Sequence, residues 1–98
     1  MELVFLLSAD SDIRAAFEYY EDKWEGLGEE FVRHVELGLK QIKHFPQSGT
    51  SIKGKHRRVL IQKFPYGIFY SLYPNRIVVS GVMNLTQDPD DIQKRLNG

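Results

Sequence analysis

The residues with the most chemical capacity lie in one stretch. Lys53, Lys55, His56, Arg57 and Arg58 fall close together, and Lys63, Tyr66 and Tyr70 follow. Cleaving RNA through its 2′-hydroxyl needs a base, an acid and cations for the charge that develops on phosphorus. Lys53, Lys55, His56, Arg57, Arg58, Lys63 and Tyr70 are the residue types such a reaction uses. The same cluster would grip phosphate, or hold an acidic protein segment through charge-assisted hydrogen bonds. The plainer alternative is a solvated basic loop leading into a strand, since Lys/Arg clusters are common at such edges.

Other chemistries find little support. The chain has no cysteine, which excludes disulfides, thiolate metal sites and a cysteine nucleophile. None of His34, His44 and His56 has the i, i+4 partner of a metal site, so neither metal nor cofactor is expected. The acid pairs Glu18/Glu21 and Glu29/Glu30 read as solvated or helix-initial charge. There is no glycine-rich phosphate loop and no nucleophile elbow. No apolar run approaches the ~20 residues of a membrane span. Glu2 and the lack of an early basic region make Met1 to Leu7 a strand rather than a secretion signal, so a cytoplasmic protein is expected.

The formal net charge of zero hides a split. Residues 1–38 carry ten acids and three bases, whereas residues 39–80 carry eight bases and no acid. That division implies two faces of opposite sign, or simply an acidic helical part balancing a basic sheet part. Apolar residues are 42% and charged residues 27%, ordinary proportions for one small globular domain over residues 1–98.

The elements that must position these residues follow from periodicity. Glu2 to Leu7 reads as a strand, and Ser8 as the N-cap of a helix carrying Ile13, Ala16, Phe17, Tyr20 and Trp24. Gly26-Leu27-Gly28 breaks that helix. A second helix runs to about His44 with the seam Leu27, Phe31, Val35, Gly38, Ile42 and Phe45, and Pro46 ends it. The two form an antiparallel hairpin. Gln47 to His56 reads as a polar loop. Strands are expected at Arg57–Phe64, Tyr66–Tyr73 and Arg76–Met83, with Pro74-Asn75 as hairpin turn. Alternation sends Ile68, Tyr70 and Leu72 to one face and Phe69, Ser71 and Tyr73 to the other. In the last strand it sends Ile77, Val79 and Met83 one way and Val78 and Val82 the other. Asp88-Pro89-Asp90-Asp91 starts a final helix. The order is β-α-α-β-β-β-α: an α+β fold, an antiparallel sheet with the helical hairpin packed on one face. The other face is either a partner groove or core beneath the final helix.

This ordered set resembles the toxins of the RelE/ParE superfamily. The resemblance rests on Ala9 through Tyr20-Glu21, Gly26-Leu27-Gly28-Glu29-Glu30-Phe31, Val35-Glu36 through Ile42 to Phe45-Pro46, Arg57-Arg58-Val59-Leu60, and Phe64-Pro65-Tyr66-Gly67-Ile68-Phe69-Tyr70. It is nearest to the ParE-like branch of plasmid stabilisation proteins. RelE-like members cut mRNA on the ribosome; ParE-like members poison DNA gyrase; both are neutralised by an antitoxin laid across the toxin. RelE-like toxins tend to place arginine after the tyrosine where this chain has Gly67. Asn84-Leu85-Thr86-Gln87-Asp88 stands where ParE-like relatives often show His-x-x-Arg-Asp. The resemblance therefore implies a ParE-like toxin, with a cognate antitoxin as partner and gyrase as target. An mRNA endonuclease, or a non-toxic member that keeps only antitoxin binding, are the alternatives. The residues expected to bind antitoxin or target are Lys53, Lys55, Arg57, Arg58, Tyr66, Tyr70, Asn84 and Gln87.

Overall fold

The computed structural model describes residues 1–97. The elements are β1 (Glu2–Phe5), α1 (Leu7–Lys23), α2 (Leu27–His44), β2 (Thr50–Lys53), β3 (His56–Leu60), β4 (Tyr66–Leu72), β5 (Arg76–Asn84) and α3 (Pro89–Asn97). The α+β architecture and the hairpin on one sheet face are as expected, with two additions. The sheet has five strands in the order β1-β5-β4-β3-β2, and β1 joins β5 in parallel. The extra strand, β2, lies in the segment expected to be loop. It pairs only with β3, and Ile52 alone gives it an apolar anchor, too little alternation to mark a strand.

The helical hairpin is drawn tight by glycines. A β-carbon on Gly28 would stand 2.6 Å from the Phe17 carbonyl oxygen, so α1 and α2 meet backbone to backbone. One on Gly38 would stand 2.7 Å from Ile68 Cδ1, so glycine lets α2 lie down on β4. The Glu21 carboxylate accepts from the N–H groups of Gly26 and Gly28, each at 2.9 Å. It thereby satisfies donors that the start of α2 leaves open. Phe31, Val35 and Ile42 are buried as expected, whereas Trp24 and Phe45 are each 68% exposed. Both lie just outside α2, where the chain turns away from the core. Helix α1 begins at Leu7, before the expected cap; Ser8 Oγ donates instead to the Ser80 carbonyl at 2.9 Å.

A bulge resets the face pattern of β5. Phe69 pairs with Gly81 and Tyr70 with Val79, so Ser80 is the extra residue. Alternation therefore reverses parity there. Val82 joins Ile77 and Val79 against the helices, and Met83 goes to the opposite face with Phe69 and Leu96. That corrects the expected assignment. The face opposite the hairpin is partly covered by α3 through Ile92 and Leu96.

Candidate functional site: a cleft at the open edge of β5

Strand β1 stops at Phe5, opposite Val79, and leaves the rest of β5 without a strand neighbour on that side. Side chains take the place of a strand. The Asp12 carboxylate accepts from Val82 N–H at 2.9 Å, and Ser8 Oγ and Arg95 Nη2 donate to the Ser80 carbonyl at 2.9 and 3.3 Å. Arg95 also makes two bonds to Asp12, at 3.1 and 2.7 Å. Residues from α1 and α3 thus close one clasp over the strand edge. The bonds to Asp12 raise the Arg95 pKa, with burial opposing them.

Beyond the clasp the edge opens into a cleft of about 470 Å³ whose walls include Asp12, Tyr19, Tyr66, Asn84, Gln87 and Arg95. Tyr66 is set by its aromatic neighbours, with its ring centroid 4.9 Å from Phe31 and 6.1 Å from Tyr20. Burial pushes the Tyr66 phenol up, while the Asn84 side chain pulls it the other way. Asn84 Oδ1 accepts from Thr86 N–H and Oγ1 at 2.8 and 2.6 Å, and Gln87 Nε2 donates to the Asn84 carbonyl at 2.9 Å. The Phe64-Pro65-Tyr66 turn is held from below. Lys63, at φ +69°, pairs with Glu30 at 3.1 Å, and that hydrogen bond lowers the Glu30 pKa. The cleft presents amides and phenols, and its two charges are already joined. That inventory suits hydrogen-bonded recognition.

Tyr66, Asn84 and Gln87 are therefore brought together in the walls of one cleft. The other expected residues are elsewhere. Lys53 and Lys55 are exposed at the β2–β3 hairpin; Lys53 Nζ donates to Asn97 Oδ1 at 2.9 Å, and Lys55 lies 4.7 Å over the Tyr73 ring. That hairpin is level with Ser71 of β4, about 17 Å along the strand from Tyr66. Arg58 is half-buried, its stem over Gly67 and its Nε without a partner among the described residues. Arg57 Nη1 donates to the Gln47 and Gly49 carbonyls at 3.2 and 2.9 Å. His56 Nδ1 lies 3.1 Å from Ser71 Oγ.

Tyr70 is the clearest correction. It is fully buried, its hydroxyl donating to the Pro46 carbonyl at 2.7 Å and accepting from Gly49 N–H at 3.0 Å. It faces the helical hairpin and pins the segment after α2, so it is not presented to a partner. Sequence reasoning missed Asp12, Tyr19 and Arg95. No local signal marks them: Asp12 and Arg95 meet across 83 positions of chain.

No protein-family model and no curated protein matches this sequence. Solved structures do match in fold. A chain of the chromosomal ParDE TA system from P. aeruginosa superposes with a TM-score of 0.66 at 16% identity. The match covers 87% of this chain and 96% of that one. The protein is thus an α+β protein with the fold of that ParDE chain. Among the described residues no helix is long and apolar enough to cross a membrane.

Proposed function

We propose that this protein is a ParE-like toxin of a type II toxin–antitoxin system, neutralised by a cognate antitoxin and acting by binding a target such as DNA gyrase. The observation that carries the reading is the fold shared with the ParDE chain along nearly its whole length. The site chemistry agrees with a binding protein. Tyr66, Asn84 and Gln87 line the cleft, and its one acid and one cation, Asp12 and Arg95, are bonded to each other. Arg57 and Tyr70, which a ribonuclease reading would use, are spent on Gln47, Gly49 and Pro46 inside the fold. Exposed Lys53 and Lys55 with half-buried Arg58 offer a second contact for an acidic antitoxin segment.

The test is induced expression in a bacterial host, scored for growth together with an SOS reporter. Arrest with SOS induction is the expected result. Arrest without SOS, with codon-linked cuts in mRNA, would replace gyrase by the ribosome as target. Unimpaired growth at good soluble yield would leave a disarmed antitoxin-binding protein.

A further inference from the structure

The charge split seen in the sequence becomes, in the fold, a separation of ends. Strand register places Glu2, Arg76, Leu72 and His56 at one end of the sheet and Asn84, Tyr66 and Leu60 at the other. Helix α2 spans 18 residues, about 27 Å, along the same direction. Trp24 precedes it at the Tyr66 end, since Tyr20 packs on Tyr66. Phe45 follows it at the Leu72 end, where both line one pocket.

Each end pairs an exposed aromatic with a majority of one sign of charge, against which stand Lys23 and Lys63 at the Trp24 end and Glu2 at the Phe45 end. Around Trp24 the exposed charges are Asp22, Glu25 and Glu29, with Lys23 turned over the Tyr19 ring at 4.7 Å, and Asp88, Asp90 and Asp91 open α3 at the same end of the sheet. The Phe45 end carries exposed Lys40, Lys43 and His44, and Lys55 and Arg76 lie over the Tyr73 ring at 4.7 and 4.9 Å. It also holds an apolar pocket of about 580 Å³ with Met1, Phe45, Pro46 and Leu72 in its walls. An indole at a mainly acidic end is the complement of an apolar pocket at a mainly basic end. A single chain carries both halves.

We propose that this protein self-associates head to tail, the Trp24 end of one copy seating in the Phe45 pocket of the next. This does not rest on the toxin reading. Donor and acceptor surfaces differ and lie at opposite ends, so the contact is heterologous and does not close into a dimer. The net charge of zero leaves no long-range repulsion between copies. A contact built on one tryptophan, which buries about 150–250 Å², is small, so the association is weak and dynamic.

Sedimentation velocity of the full chain tests it, at protein concentrations up to about 1 mM, the range of weak affinities. The weight-average mass should rise with concentration without levelling at a dimer, and fall as salt screens the opposed charges. The emission of Trp24, the sole tryptophan, should shift to the blue in parallel. Trp24→Ala should weaken association at least tenfold, and Lys40→Glu with Lys43→Glu should do the same. Mixed together, those two variants should form a one-to-one dimer and stop there. The first still offers its pocket, and the second its tryptophan. All the substituted residues are exposed, so circular dichroism should show both folds intact. A chain that stays monomeric throughout, a dimer that survives Trp24→Ala, or a mixture that fails to complement would each overturn the proposal.

Discussion

Replacing Tyr70 by Phe separates a structural role from a binding one. The substitution removes one oxygen and leaves the fully buried ring in place. Two bonds go with it, the donation to Pro46 and the acceptance from Gly49 N–H. Gly49 is buried, so its N–H loses its partner without access to bulk water; the Pro46 carbonyl is only half-buried and can be rehydrated. One buried polar group left unpaired costs about 1–3 kcal/mol, so the expected loss is about 2 kcal/mol. In a domain of this size that lowers Tm by about 8–16 °C. Urea unfolding followed by far-ultraviolet circular dichroism should show a lower midpoint with an unchanged slope, the mark of lost stability in an intact fold. At 25 °C the variant should remain folded and keep its affinity for the proposed antitoxin. A stability change below about 0.5 kcal/mol would refute the argument from the buried hydroxyl. Lost affinity in a folded variant would return Tyr70 to the binding surface.

Gly28→Ala should destabilise by about 1–3 kcal/mol, read from the urea midpoint, because its new carbon meets the Phe17 carbonyl and the helices must part. Asp12→Ala should cost about 1–2 kcal/mol, kept modest by the partial exposure of Arg95. It should also speed amide exchange at Val82, whose N–H loses its acceptor. Tyr20 and Tyr66 both have pKa values raised above 10.0, first by burial. Their contribution to stability is complete below the unfolded pKa and is lost as pH rises through the folded one, so unfolding should set in on the alkaline side of pH 10. Tyr66→Phe should move that transition upward. Gln87→Ala, at an exposed position with one internal bond, should leave Tm within about 2–4 °C yet weaken binding of the proposed antitoxin or toxicity. Unchanged growth arrest and antitoxin affinity would remove Gln87 from the site. The basic patch is best tested with Lys53→Ala and Lys55→Ala, because Arg57→Ala would also free the Gln47–Gly49 segment.

Much of the fold was legible because its signals are local. The helices follow from spacing, the hairpin from Gly26 and Gly28, the end of α2 from Pro46, and α3 from Asp88-Pro89. The fold also agreed with the resemblance, since an ordered set of such local signals survives when sequence identity is low. Of the residues expected to bind, the structure brings Tyr66, Asn84 and Gln87 into one cleft.

The rest depended on distance in sequence collapsing into contact in space. The pairing of β1 with β5, the Asp12–Arg95 clasp and the hydroxyl bridge from Tyr70 to the segment after α2 join residues that no periodicity links. Whether Arg57 and Tyr70 face a partner or the interior is decided by which strand edge and which loop lie beside them. The parity of Val82 and Met83 hangs on a single bulged residue, Ser80. Residue types and spacing determined which elements form, because hydrogen bonding and burial within an element are short-range. Which side chains remain free to act was decided only by the tertiary structure, because burial and pairing are set by neighbours far away in the chain.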